Sequence, residues 1–375
     1  MNKIFGWSIA VVVIAVVIVL IAVFGGSKSD ADTIKIGFMA PMSGDMGVYG
    51  LSSKGGAELA ADDMNWTING KKIEFIYEDS KCDAKAASEA ANKLIAVDGV
   101  KYIIGFVCSS EILATAPIAE QEKVINIGAS TTSPELQKAG EYSFAMYPLD
   151  TFGAKYDAEY IYNKLGKRNV AMLLCLSDWC KGYEKPFTET FTGLGGKITT
   201  VEYNEKGAKD LKTQLSKIKE TNLDLLYTVE YNEEFTALVT QSKEMGLETT
   251  IFSPQIVTED AIRTLGSQIE GYYTDVVKSD IDQSAFLAKL KTKTGLETPE
   301  IDLTAGRSYD AMFMIKAAIE KAGTSTDMEK VKDALLTTTF TGITGYHEFD
   351  KDGVPAKGNY VIQKVVDGKL VAQSQ

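Results

Sequence analysis

Residues 100–136 read VKYIIGFVCSSEILATAPIAEQEKVINIGASTTSPEL, and the apolar runs 100–107 and 124–128 in this stretch bracket a segment of helical character. A short run rich in Ile and Val that ends in small hydroxyl residues and leads into a helix is the pattern of a strand buried on both faces of a parallel sheet. The alternation extends outward in both directions. Strand-like runs at 34–40 and 72–78 precede the quoted stretch, each followed by apolar residues at helical spacing: Ala57, Ala60, Ala61 and Met64, then Ala87, Ala90, Ala91, Leu94 and Ile95. A run at 142–147 follows, and the pattern then starts afresh with 169–176, 196–203, 223–230, 249–252 and 271–277. Two such sets predict an α/β chain of two doubly wound lobes.

Ligands of these sheets sit beyond the carboxyl ends of the strands, at the point where the strand order reverses. The loops at 41–49, 108–111, 129–134, 177–182, 231–233 and 253–257 are therefore expected to line a cleft between the lobes. In Cys108-Ser109-Ser110 and Ala129-Ser130-Thr131-Thr132-Ser133-Pro134, hydroxyls and backbone N–H groups at a helix start favour a carboxylate or another small anion. Helix capping explains either loop alone equally well; two of them at one sheet edge favour a site. Tyr49, Trp179 and Tyr231 fall just after strands, where an aromatic side chain walls a ligand of amino-acid size.

Other functions find little support. A net charge of -12 opposes a phosphate backbone, and no Lys/Arg cluster offsets it, so nucleic acid is not an expected partner. The single histidine, His347, would have to serve every acid–base scheme, and it reads instead as a surface or hinge residue. The pairs Asp62-Asp63 and Glu233-Glu234 read as solvated acids on helix faces or first turns. No metal-ligand spacing, phosphate loop or dinucleotide turn is present, so no catalytic residue, metal or cofactor is expected.

The first residues point to export. Lys3 precedes an uncharged stretch over 4–27 whose centre, 9–24, is unbroken Ile, Val, Ala, Leu and Phe. At about 1.5 Å per residue such a run reaches roughly 30 Å, enough to cross a bilayer core. Residues 1–27 are thus expected to be a signal anchor, or a signal peptide cleaved at Gly25-Gly26-Ser27, with 28–33 as a linker. The protein is expected outside the cytoplasm, membrane-anchored or released. Its four cysteines suit an oxidising compartment: Cys82 with Cys108 would join two neighbouring strand-loop units, and Cys175 with Cys180 would close a short loop.

Ile34-Lys35-Ile36-Gly37, Ala40-Pro41-Met42-Ser43-Gly44 and Tyr49-Gly50 resemble the opening of the branched-chain amino-acid (leucine/isoleucine/valine) substrate-binding proteins of ABC transporters. The similarity continues through Glu78-Asp79-Ser80-Lys81-Cys82-Asp83, Gly105-Phe106-Val107-Cys108-Ser109-Ser110 and 128–136, and reaches Tyr309-Asp310-Ala311, Gly342-Ile343-Thr344-Gly345 and Phe349-Asp350-Lys351-Asp352-Gly353. The resemblance implies the type I periplasmic-binding-protein fold, a three-segment hinge, and a monomer that hands its ligand to an ABC permease. It places lobe 1 at 34–147 plus 278–344 and lobe 2 at 148–277 plus 345–375, and it implies the Cys82–Cys108 disulfide. Carried over by position, Ser109, Thr131 and Thr132 hold the ligand carboxylate, Tyr49 and Trp179 form walls, and Tyr231 lies near the amino group. The chain departs from the family at Gln255, where amino-acid binders carry a glutamate for the ligand ammonium. Either Glu230 or, second, Asp178 then supplies the charge, or the ligand is a small amide or carboxylate without an ammonium. A sensing protein partnered with a signalling receptor is the alternative role.

Overall fold

The computed structural model describes residues 32–297, 299–300 and 304–374. The expected membrane segment and linker at 1–31 lie outside these residues. Among those described, no helix is long and apolar enough to cross a membrane.

Two large sheets organise the chain. The first contains β1 (Thr33–Ala40), β2 (Thr67–Ile68), β3 (Lys71–Asp79), β4 (Tyr102–Gly105), β5 (Ile125–Gly128) and β6 (Ser143–Ala145) in the order β2-β3-β1-β4-β5-β6. All its pairings are parallel except that of β2. The second contains β7 (Asn169–Cys175), β8 (Lys197–Asn204), β9 (Leu225–Val229), β10 (Thr250–Phe252) and β11 (Tyr273–Val277). A separate antiparallel pair, β12 (Phe340–Gly342) and β13 (Gly345–His347), forms a small turn. The edge of the second sheet is extended by β14 (Tyr360–Val366) and β15 (Lys369–Ala372), of which β14 runs antiparallel to β11; neither was among the expected strands. The order reverses between β1 and β4 in one sheet and between β7 and β9 in the other. These are the two switch points at which a site is expected.

The helices between the strands are α1 (Gly47–Asp63), α2 (Ala84–Asn92) and α3 (Ser109–Glu122) around the first sheet, then α4 (Asp150–Asn163), α5 (Asp178–Gly193), α6 (Lys212–Lys219), α7 (Asn232–Glu244) and α8 (Glu259–Leu265) around the second. After β11 the chain returns to the first lobe. There α9 (Ser284–Thr294) packs on α1, with Lys293 bonded to Asp62 at 2.7 Å. A side chain at Gly56 of α1 would collide with the Ala305 carbonyl, so glycine permits this close approach.

Strand alternation explains the layers. In β7, Val170, Met172 and Leu174 enter the core that spans both lobes, whereas Ala171 and Leu173 enter a second core on the opposite face. In β9, Tyr227 and Leu226 divide in the same way. Strands buried on both faces need apolar residues at every position, which is why the runs lack the polar alternation of a half-exposed sheet.

His347 is buried, not at the surface: its Nε2 lies 2.9 Å from Asp310 Oδ2 and 2.9 Å from Thr344 Oγ1. Asp310 also accepts from the Ile343 and Thr344 N–H groups, which draws the β12–β13 turn and its histidine inward. Glu234 likewise departs from the expected solvated acid. It is buried and accepts from the Gly207 N–H.

Both disulfides form, Cys82–Cys108 and Cys175–Cys180. Their sequence separations of 26 and 5 predict unequal effects. Replacing Cys82 and Cys108 by serine is expected to cost about 3 kcal/mol, and replacing Cys175 and Cys180 clearly less. Urea unfolding of the two double variants checks this, and equal losses would refute it.

Candidate functional site

A pocket lies between the carboxyl ends of the two sheets. Lobe 1 contributes Met46 and Tyr49 from the β1–α1 region, Val107, Cys108 and Ser109 at the start of α3, and Ser130 from the loop after β5. Lobe 2 contributes Trp179 in the first turn of α5, Tyr231 before α7, and Gln255 and Ile256 after β10. Lobe 1 thus presents the Ser109 and Ser130 hydroxyls beside the Tyr49 ring, and lobe 2 faces them with Trp179 and Tyr231, whose ring centroids are 4.9 Å apart.

The disulfides fix the helix starts that carry these residues. Cys108 precedes Ser109 directly, and its bridge ties the start of α3 to the loop after β3. Cys180 sits beside Trp179, bridged to the end of β7, and its N–H donates to Ser177 Oγ at 3.1 Å. Ser109 also holds the two hydroxyl loops together, because its Oγ accepts from the Thr132 and Ser133 N–H groups, both at 3.1 Å. On the outer side of the pocket, Lys206 of lobe 2 donates to the Cys82 carbonyl of lobe 1 and lies 4.8 Å over the Tyr231 ring.

Among the residues expected to bind, Tyr49, Ser109, Ser130, Trp179, Tyr231 and Gln255 converge on the pocket. Thr131 and Thr132 do not line it. Thr131 is folded back over Gly128, and the Thr132 hydroxyl faces Asp150. Glu230 does not line it either. Its buried carboxyl accepts from Asn204 Nδ2 at 3.0 Å and converges with Glu234 and the Cys175 sulfur. Burial pushes that carboxyl well above the usual carboxylate range, which suits a neutral interior acid. Asp178 is exposed outside the pocket. The pocket wall therefore carries no carboxylate among the described residues.

Behind this wall lies a feature the sequence reading missed. Gln255 Nε2 donates to the Tyr183 hydroxyl at 2.6 Å, and Tyr183 is fully buried. Beyond it sit Asp150 at the start of α4, Asp157 about two turns further along the same helix, and Asp275 of β11. All three are fully buried, and among the described residues no lysine, arginine or histidine pairs with any of them. The Thr132 and Tyr183 hydroxyls lie close enough to favour the ionised form of Asp150, but neither reaches its oxygens in hydrogen-bond geometry. Tyr183 stands four residues after Trp179 in α5, on the same helix face. That spacing was the available signal.

A family model described as periplasmic binding protein matches residues 33–369. A leucine-, isoleucine-, valine-, threonine- and alanine-binding protein of Pseudomonas aeruginosa is 31% identical over 340 residues, covering 89% of this chain and 90% of the relative. Among solved structures, a leucine-binding protein from Thermotoga maritima superposes with a TM-score of 0.82 at 27% identity, covering 91% of this chain and 98% of that one. A branched-chain amino acid transporter substrate-binding protein from Streptococcus pneumoniae, in complex with isoleucine, gives 0.80 at 26% identity, covering 91% and 99%.

Proposed function

The chain belongs to the periplasmic binding protein family, and from that premise we propose that it captures an aliphatic α-amino acid outside the cytoplasm and delivers it to an ABC permease. Lobe 1 is taken as 34–147 plus 278–344 and lobe 2 as 148–277 plus 345–375, closing as two bodies about the segments that join them. The observation that carries the reading is the pairing of the Ser109 and Ser130 hydroxyls from one lobe with the Trp179 and Tyr231 rings from the other across one pocket. Hydroxyls at a helix start suit the ligand carboxylate, and the rings suit its aliphatic body. The names of the relatives support the ligand class.

Closure is how such a site is occupied: a ligand that touches both lobes binds the closed form better and so shifts the population toward it. The Lys206–Cys82 bond between the lobes adds to that form without touching the ligand. Isothermal titration with leucine, isoleucine, valine, threonine and alanine tests the proposal, together with native mass spectrometry of protein purified from its own host. Saturable one-to-one binding of at least one of them is expected. Binding of none, with a co-purified solute that lacks an amine, would overturn the ligand class.

A further inference from the structure

A closed pocket around an ammonium group needs negative compensation, because a buried charge without a partner loses its hydration and gains nothing in return. The residues lining this pocket offer none. Gln255 occupies the place where a carboxylate is wanted, and a free amide presents either its NH2 or its carbonyl to a ligand. One end of this amide is committed: Nε2 donates to Tyr183 Oη at 2.6 Å, while Oε1 accepts no hydrogen bond from the described residues. Tyr183, having accepted, must send its own proton onward, and its hydroxyl is wholly buried. Asp150 is the acid whose ionised form that hydroxyl favours. A carboxyl offers an acceptor oxygen whether ionised or neutral, so Asp150 can take that proton in either state once the two groups, which stand outside hydrogen-bond geometry here, close up.

The geometry points to Tyr183 as the specificity-determining positioning residue of this pocket: it takes the Gln255 NH2 as acceptor, donates toward Asp150, and so turns the Gln255 carbonyl to the ligand's ammonium. The inference rests on the amino-acid reading above. It places a buried carboxyl behind the wall, near Tyr183 but outside hydrogen-bond geometry in this structure, and leaves the presented amide carbonyl to meet the ammonium. Gly153 and Gly182 leave the room for this convergence. A side chain at Gly153 would meet Asp275 Oδ2 at 3.2 Å and Tyr183 Oη at 3.5 Å, and one at Gly182 would meet Asp150 Oδ2 at 2.7 Å.

Titration of wild type, Tyr183→Phe, Asp150→Ala and the double variant Tyr183→Phe/Gln255→Glu with leucine and with its des-amino analogue 4-methylpentanoate tests the assignment, with thermal unfolding reporting the fold of each. Tyr183→Phe is expected to weaken leucine binding about tenfold or more, as for loss of a hydrogen bond to a charged group, and to weaken 4-methylpentanoate binding less than about threefold. Asp150→Ala, which leaves Tyr183 in place, is expected to show the same selective loss. Gln255→Glu in the Tyr183→Phe background is expected to restore leucine binding, because a wall carboxylate needs no turning. Equal losses for both ligands, or no loss for leucine, would overturn the role of Tyr183 while leaving the amino-acid reading intact. Wild-type protein that binds 4-methylpentanoate but not leucine would overturn both.

Discussion

Glu111→Ala is expected to remove about 3–5 kcal/mol of folding stability while the disulfides remain intact. Glu111 is fully buried in the first turn of α3, directly behind the Cys82–Cys108 bridge. Its Oε1 accepts from Ser80 Oγ at 2.5 Å and from the Cys82 N–H at 3.1 Å. Its Oε2 accepts from the Val107 and Cys108 N–H groups at 2.9 and 3.0 Å. Truncation orphans four donors on buried residues, and each unsatisfied donor costs about 1–3 kcal/mol without full additivity. Burial pushes the Glu111 carboxyl up to about 7, against the pull of these hydrogen bonds and of Lys206. Glu111→Gln, which turns one acceptor into a donor aimed at other donors, should fall between wild type and alanine. Urea unfolding at neutral pH measures all three. A loss below about 1 kcal/mol for alanine would mean that water replaces the carboxylate and that no donor is orphaned.

The elements that carry the pocket were legible because strand ends and helix starts are local features. Ser109, Ser130, Tyr49, Trp179, Tyr231 and Gln255 each follow an apolar run, and parallel pairing brings the ends of those runs to one edge. Orientation was not legible. Glu230 also follows a strand, but it turns toward Asn204 beneath the Cys175–Cys180 bridge, a choice made by neighbouring strands. Thr131 and Thr132 belong to the right loop, yet Ser109 pins the backbone of that loop and directs their hydroxyls away from the pocket. The acids behind Gln255 were invisible for a different reason: Asp150, Asp157 and Asp275 come from a helix and a strand far apart in sequence, and only packing of the lobe unites them. The edge strands β14 and β15 were missed because a short terminal hairpin carries no parallel-sheet signature.

Asp275→Asn is expected to leave stability unchanged near pH 4 and to raise it by roughly 2–4 kcal/mol at pH 8. Burial lifts the Asp275 carboxyl from 3.8 to about 7. Its own N–H and that of Gln255 pull the other way, but neither carboxyl oxygen receives a hydrogen bond of full geometry. It faces Asp150 and Asp157 of α4, both also raised by burial, and the Tyr183, Tyr227 and Tyr360 hydroxyls. Of the three acids only Asp157 has a partner among the described residues, accepting from Tyr227 at 2.8 Å. Between pH 4 and 7 the folded chain holds a proton on Asp275 that the unfolded chain has released, so folding binds protons in this window. The contribution is therefore whole below about pH 4 and is lost as the pH rises through about 7, opposite in sign to that of a salt-bridged aspartate. Asparagine keeps the size of the side chain and cannot ionise, so it escapes the loss. Chemical unfolding of wild type and Asp275→Asn at pH 5 and pH 8 measures it: the stability difference between the two proteins must widen toward pH 8. A constant difference would mean that Asp275 is ionised throughout, held by water or by a cation in the interior.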